Sequence, residues 1–209
     1  MASQFRQGDV AATIVARDPR FQATIERVGP PPKRRNAPIE KRFSALIESI
    51  ASQLVSMKAA DTISARVKES CAGAVTPKSI LECGFAPLRQ AGLSTTKAQA
   101  MLDLAERCID GRVRLDQHPK MPSAEITKEL MLVRGIGPWT AQMYLMFSLN
   151  RPDVWPHLDF GVRAGWTNIH KMPEMISIKS LKEQGASFAG VESATAWYCW
   201  RALEHDRLK

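Results

Sequence analysis

Apolar positions along this chain recur three and four residues apart and seldom alternate as a strand would require. Phe43, Ile47, Ile50 and Leu54 form one such stripe, and Ala59, Ile63 and Val67 resume it after a break near Ser56. Ser94 could cap a helix whose apolar face is Ala98, Met101, Leu102, Ala105 and Ile109, with Gly111 closing it. Ser123 could cap another, carrying Ile126, Leu130 and Val133. Ser193 could cap a last one, presenting Trp197, Trp200 and Leu203. Gly and Pro punctuate these segments at short intervals, so the pattern predicts an all-α chain of about ten short helices. The stretch from Val28 to Arg35, VGPPPKRR, reads as an extended basic connector, because tandem prolines cannot continue a helix.

Charge and composition narrow the partners. The 209 residues carry 29 Lys and Arg against 21 Asp and Glu, a net charge of +8. Such an excess favours polyanions, since each phosphate contact releases condensed counterions, but it does not by itself select nucleic acid. No apolar run approaches the roughly 20 residues that span a bilayer. The N-terminus is charged throughout and lacks a signal-type apolar segment. The expectation is a soluble protein of the cytoplasm or nucleoid (nuclear in a eukaryote), neither secreted nor membrane-bound. Cys71, Cys83, Cys108 and Cys199 form no C-x-x-C pair and no cluster, so they read as reduced thiols in or near a core. The four histidines show no ligand spacing.

The informative segment runs from 130 to 166, LMLVRGIGPWTAQMYLMFSLNRPDVWPHLDFGVRAGW. A Leu- and Val-rich helix enters Gly135-Ile136-Gly137, and a second helix begins at Pro138-Trp139-Thr140-Ala141. Glycines permit positive φ and leave backbone N–H groups uncovered. Pro138 suits a first helical turn, where its missing N–H costs nothing. The start of the second helix would offer free N–H groups and a positive dipole end to an anion such as a DNA phosphate. A plain structural turn would account for the G-x-G equally well.

The hairpin LVRGIGPWTA (132–141), followed by RPDVWPHLDFGVR (151–163), resembles the helix-hairpin-helix DNA glycosylase superfamily. SQLVSMKAA (52–60) is similar to that family's Q-x-x-S segment beside the DNA-probing loop. GLSTTKA (92–98) is similar to its G-L-S-x-x-K-A helix start, and WYCWR (197–201) to its Y-L-W-R ending. The matches span about 40 to 205 in the family's order. The resemblance implies two helical lobes with a DNA-binding cleft between them. Residues 40–150 would form a bundle ending in the hairpin, and 1–39 with 151–209 the second lobe. It also implies that the family's catalytic aspartate falls on Asp159; the alternative role for Asp159 is a helix N-cap.

Two positions select the branch. Bifunctional members carry a lysine two residues after the second hairpin glycine; here that position is Trp139, which cannot form an imine. Iron–sulfur members carry four clustered cysteines after the catalytic region, where this chain has only Cys199. The D-V-W-P-x-x-D-x-G wording looks most like the 3-methyladenine DNA glycosylase II branch, in its compact form without an N-terminal β domain. The implied activity is excision of 3-methyladenine- and 7-methylguanine-type purines from double-stranded DNA by a monomer, with no cofactor, no iron–sulfur cluster and no strand cleavage. The alternatives are a catalytically silent DNA-binding protein and a glycosylase for oxidised or deaminated bases.

Alkylated purines of this kind are cationic and leave the sugar readily. The enzyme must extrude the base, hold it on aromatic faces and stabilise an oxocarbenium-like sugar. Trp139, Phe160, Phe188, Met143 and Trp155 are the base-pocket candidates. Gln53, Leu54, Ser56, Arg134, Gly135, Ile136, Gly137 and Thr140 are the DNA-binding candidates. Gln53 or Leu54 would fill the space left by the flipped base, with Leu54 as core the competing reading. The resemblance also suggests a monovalent cation, Na⁺ or K⁺, at the carbonyls of Val133 and Gly135. One departure is Gly190-Val191-Glu192-Ser193, where the family usually has P-W-R-S and so a basic residue in place of Glu192.

Overall fold

The computed structural model describes residues 7–32 and 35–204. Twelve α-helices are described, with no strand among the described residues. In chain order they are α1 (Gln7–Arg17), α2 (Gln22–Val28), α3 (Ile39–Ser52), α4 (Met57–Ser70), α5 (Pro77–Cys83) and α6 (Phe85–Gln90). There follow α7 (Thr95–Ile109), α8 (Ser123–Met131), α9 (Pro138–Phe147), α10 (Phe160–Ile169), α11 (Ile178–Gln184) and α12 (Glu192–Glu204). The all-α expectation from the apolar spacing holds. The chain divides into two compact units, one of residues 1–34 and 151–209 and the other of 35–150. In the predicted connector, Gly29 ends α2 at φ 76°, and Lys33 and Arg34 lie outside the described residues.

In the 35–150 unit, Leu46, Ile50, Met101, Leu104, Ile126 and Leu130 are wholly buried. Several helix starts use a local device. Ser56 caps α4 by accepting from Ala59 N at 3.3 Å, and Ser94 caps α7 by accepting from Lys97 N at 3.2 Å. Three details differ from the apolar pattern. Ile109 is 62% exposed, because the end of α7 turns its side chain outward. Ser123 is the first residue of α8 and does not cap it. Leu54 is outside α3 altogether, since the helix stops at Ser52.

The unit of 1–34 and 151–209 is built on an aromatic cluster. Phe188 packs edge-on against Phe21 and Trp166, with ring centroids at 5.7 and 5.8 Å, and stacks on Trp155 at 6.2 Å. Helices α10 and α12 cross so closely that a Cβ on Gly165 would collide with the Cys199 carbonyl. Ser193 lies inside the first turn of α12, where its hydroxyl donates to Arg151 O at 2.7 Å instead of capping. Asp18 accepts hydrogen bonds from Arg20 and pairs with His170 Nε2 at 2.8 Å. Burial alone would raise the Asp18 pKa, but these donors outweigh it and hold the carboxyl below its ordinary value. All four cysteines are free thiols; Cys71 and Cys199 are buried.

Candidate functional site

In the 35–150 unit, α8 and α9 are joined by a tight turn from Leu132 to Gly137. Val133 N donates to Leu130 O at 3.0 Å, and Ile136 N to Val133 O at 3.1 Å. Ile136 is buried and anchors the turn from below. Gly135 is at φ 76°, and a Cβ there would stand 3.1 Å from Ala100 Cβ, so the position requires glycine twice over. Gly137 differs from the expectation of positive φ. It is extended, at φ −98° and ψ −179°, and a Cβ there would meet no atom within 4 Å. No side chain caps α9, and Pro138 occupies its first turn as expected. The hairpin is tied to α7 by Asp103, which accepts from Arg134 N at 2.6 Å. The exposed Arg134 guanidinium reaches Gln99 Oε1 at 3.2 Å.

Beneath the hairpin, His118 joins its two helices. His118 Nε2 lies 2.8 Å from Glu129 Oε1 on α8, and Nδ1 lies 3.0 Å from the Tyr144 hydroxyl on α9. Glu129 also accepts from Arg114 N at 2.6 Å and from its guanidinium. Burial pushes His118 toward its neutral form, against the pull of Glu129. Nothing in the sequence spacing marked this residue.

Next to the hairpin is the segment after α3. Gln53 points its amide back into the protein and donates to Gly135 O at 3.1 Å and to Thr140 Oγ1 at 3.0 Å. This corrects its candidacy as the gap-filling side chain, because the amide is already used to brace the hairpin. Ile136 and Thr140 are likewise buried, so their side chains support the hairpin and do not face outward. Leu54 is the opposite case. It is fully exposed and adopts φ 55°. A non-glycine residue in that region costs roughly 1–2 kcal/mol, and an exposed Leu recovers nothing by burial. Leu54 is therefore not core. Val55 and Ser56 beside it are also exposed.

In the other unit, Asp159 ends a turn in which its own N–H donates to Pro156 O at 2.9 Å. It caps α10: its Oδ1 accepts from Val162 N at 2.8 Å. The same oxygen accepts from the Trp200 indole N–H at 2.8 Å. Gly161 makes room for this, since a Cβ there would stand 2.7 Å from Trp200 Cδ1. The D-x-G pattern thus sets a carboxylate at a helix N-terminus and fixes its direction by an indole from α12. The sequence pattern placed Trp200 on a helix face but did not reveal this bond. Phe160, next in the chain, is 68% exposed.

The remaining pocket candidates are placed differently. Phe188 is 1% exposed and all its ring contacts belong to the aromatic core, which corrects its reading as a face for an incoming base. Trp155 is part of the same core: its indole N–H donates to Leu181 O at 2.7 Å and one face lies on Phe188. Met143 is buried in α9. Trp139 is half-buried at the start of α9. Aromatic residues dominate both cores and pockets, which is why type alone did not separate them.

Comparison with known proteins gives these features a context. Residues 47–187 match the model of the HhH-GPD superfamily of base excision DNA repair proteins. A DNA-3-methyladenine glycosylase of Schizosaccharomyces pombe is 32% identical over 127 residues, 60% of this chain and 56% of that protein. The chain therefore matches little more than half the length of this relative. The structure of a 3-methyladenine DNA glycosylase from S. pombe in complex with abasic DNA superposes with a TM-score of 0.84 at 29% identity, covering 91% of this chain and 94% of that one. A DNA-3-methyladenine glycosidase from Bacillus halodurans superposes with a TM-score of 0.82 at 30% identity, covering 99% and 94%.

Proposed function

Since the chain belongs to the HhH-GPD superfamily of base excision DNA repair proteins, we propose that it is a monofunctional DNA glycosylase that hydrolyses the N-glycosidic bond of alkylated purines in duplex DNA. The observation that carries this reading is Asp159, a carboxylate held at the start of α10 by Val162 N and the Trp200 indole, in the D-x-G-x-R setting of the family. The names of the similar proteins support alkylated purines as the substrate class.

Each unit supplies part of the chemistry. In the 35–150 unit, the uncapped start of α9 and the open face of Gly137 suit a phosphate oxygen, which positions the duplex without reading sequence. The exposed Leu54 suits the space left when a base leaves the stack. The Val133 and Gly135 carbonyls each accept one hydrogen bond, from Ile136 N and Gln53 Nε2. A carbonyl oxygen has two lone pairs, so both could also ligate a Na⁺ or K⁺ ion, which would add positive charge beside the phosphate. In the other unit, the Asp159 carboxylate stabilises positive charge developing at the sugar carbon and orients the attacking water. In the same unit, exposed Phe160 is a face for a cationic base, a contact of about 0.5–2 kcal/mol. Water is the nucleophile because Trp139 stands where bifunctional relatives have an amine. The product is an abasic site in an intact strand.

The test is base release from methylated duplex DNA, followed by borohydride trapping and a denaturing gel with and without alkali. Wild-type protein should release methylated purines, and Asp159→Asn should slow release by about 10²–10⁴-fold with DNA affinity retained. Tight binding without release by the wild type would make the chain a silent DNA-binding protein. Excision of oxidised or deaminated bases instead would change the substrate class. A trapped adduct, or breaks without alkali, would show that another amine acts in place of water.

A further inference from the structure

Lys97 stands near the start of α7, three residues after its cap Ser94. That is an unfavourable place for a cation with respect to α7 itself, whose N-terminus carries positive dipole charge. Its ammonium instead leaves α7 and donates to two carbonyls at the end of α3, Ala51 O at 2.8 Å and Gln53 O at 2.6 Å. Burial lowers the Lys97 pKa, so its placement has a second cost. The end of α3 is where such a cation is useful. The last carbonyls of a helix have no partner within it, and they form the negative dipole end.

The residue after those carbonyls is Leu54, at φ 55° and fully exposed. Nothing in its own contacts explains the left-handed backbone. The explanation lies one residue earlier. The Gln53 carbonyl is fixed by Lys97, and the Gln53 side chain is fixed by Gly135 O and Thr140 Oγ1. With both ends of Gln53 held, the chain has one direction in which to leave α3.

We infer that Lys97 is a positioning residue for base extrusion: by gripping the carbonyls of Ala51 and Gln53 it sets the left-handed turn that projects Leu54, and Gln53 couples that turn to the hairpin. The inference rests on the reading of Leu54 as the side chain that enters the duplex. A lysine that merely fastened α3 to α7 would affect stability and every DNA-dependent property alike.

The test uses the full chain and a duplex with 2-aminopurine beside a methylated purine, where fluorescence rises as the stack opens. Single-turnover base release and affinity for undamaged duplex are measured in the same samples. Leu54→Ala should lower the fluorescence change and base release by about tenfold, because the apolar surface that would replace the lost stacking is gone. Lys97→Met should do the same while affinity for undamaged duplex stays within about twofold. The double variant should be no worse than Leu54→Ala, because the two act on one step, and Lys97→Arg should recover part of the loss. Lys97→Gln, which keeps a donor at shorter reach, serves at reduced temperature if the Met variant does not fold. A normal Lys97→Met signal with a defective Leu54→Ala would overturn the inference and leave the reading of Leu54 intact. A normal Leu54→Ala signal would overturn that reading, and the inference with it. A double variant far below either single one would overturn the inference as well, since Lys97 would then act elsewhere.

Discussion

A methyl group added at Gly137, in the hairpin, would meet no atom within 4 Å. Added at Gly161 or Gly165, in α10, it would run into the Trp200 indole or the Cys199 carbonyl. The two sets of glycines look alike in sequence, each just before or within a helix. In α10 the missing side chains are replaced by the protein's own atoms, which aim Asp159 and bring α12 close. At Gly137 the space is left open and the backbone is in ordinary extended geometry. Glycine is a tolerated N-cap, and one with no special φ and no internal neighbour leaves the backbone N–H groups of α9 uncovered. That opening suits the proposed phosphate at the uncapped start of α9.

That contrast can be broken in three places. The largest effect should come from Gly165→Ala. The new methyl has only backbone to displace, so the α10–α12 crossing must open, at a cost of about 3 kcal/mol. At about 2–4 °C per kcal/mol for a chain of this size, the midpoint of thermal unfolding should fall by about 6–12 °C. A midpoint within 2 °C of wild type, a margin of about one kcal/mol or less, would show that the crossing relaxes freely.

Gly137→Asp should have the reverse signature. Its extended backbone suits an N-cap, so α9 should gain a few tenths of a kcal/mol of stability, roughly the difference between Gly and Asp at a cap. The same carboxylate would repel a phosphate at that helix start. Affinity should fall about tenfold or more for damaged and undamaged duplexes alike, measured by fluorescence anisotropy at fixed salt. Unchanged affinity would reduce the hairpin to a structural turn.

The smallest effect belongs to Trp200→Phe, which keeps the packing over Gly161 but deletes the N–H to Asp159 Oδ1. Asp159 Oδ1 keeps its bond from Val162 N, so the loss should fall at the lower end of the about 1.5–3 kcal/mol of a bond to a carboxylate and slow single-turnover base release by roughly tenfold. DNA affinity should hardly move. An equal loss in affinity would mean that Trp200 supports the fold of the unit and not the direction of the carboxylate.

Much of the local structure was legible in the chain. Ser94, Pro138 and Asp159 stand at helix starts as their local pattern predicts, because capping depends on residues a few positions apart. Ser123 and Ser193 instead fall inside the first turns that the pattern assigns them to cap, and Ser56, which marks only a break in the apolar stripe, caps α4. Leu54 shows where that reading ends. Its spacing from Ile47 and Ile50 is that of a buried helical face, yet the helix stops before it. Two bonds from Lys97, more than 40 residues away, go to the carbonyls just before it. Phe188 and Phe160 could not be told apart by type, and only packing made one core and the other exposed. The partners of Trp200 and His118 were hidden for the same reason: a hydrogen bond across the fold leaves no periodic trace in the sequence.

The buried thiols have a chemical consequence of their own. Cysteine reacts with electrophiles as thiolate. Burial, with Glu129 and Asp110 nearby, pushes Cys108 up to about 12, so roughly one molecule in 100,000 carries that thiolate at pH 7. Burial raises Cys83 and Cys199 as well, the latter also facing the negative charge of Asp159. Cys108 and Cys199 should therefore react slowly with thiol reagents while the chain is folded, and labelling at either is a clock for its opening.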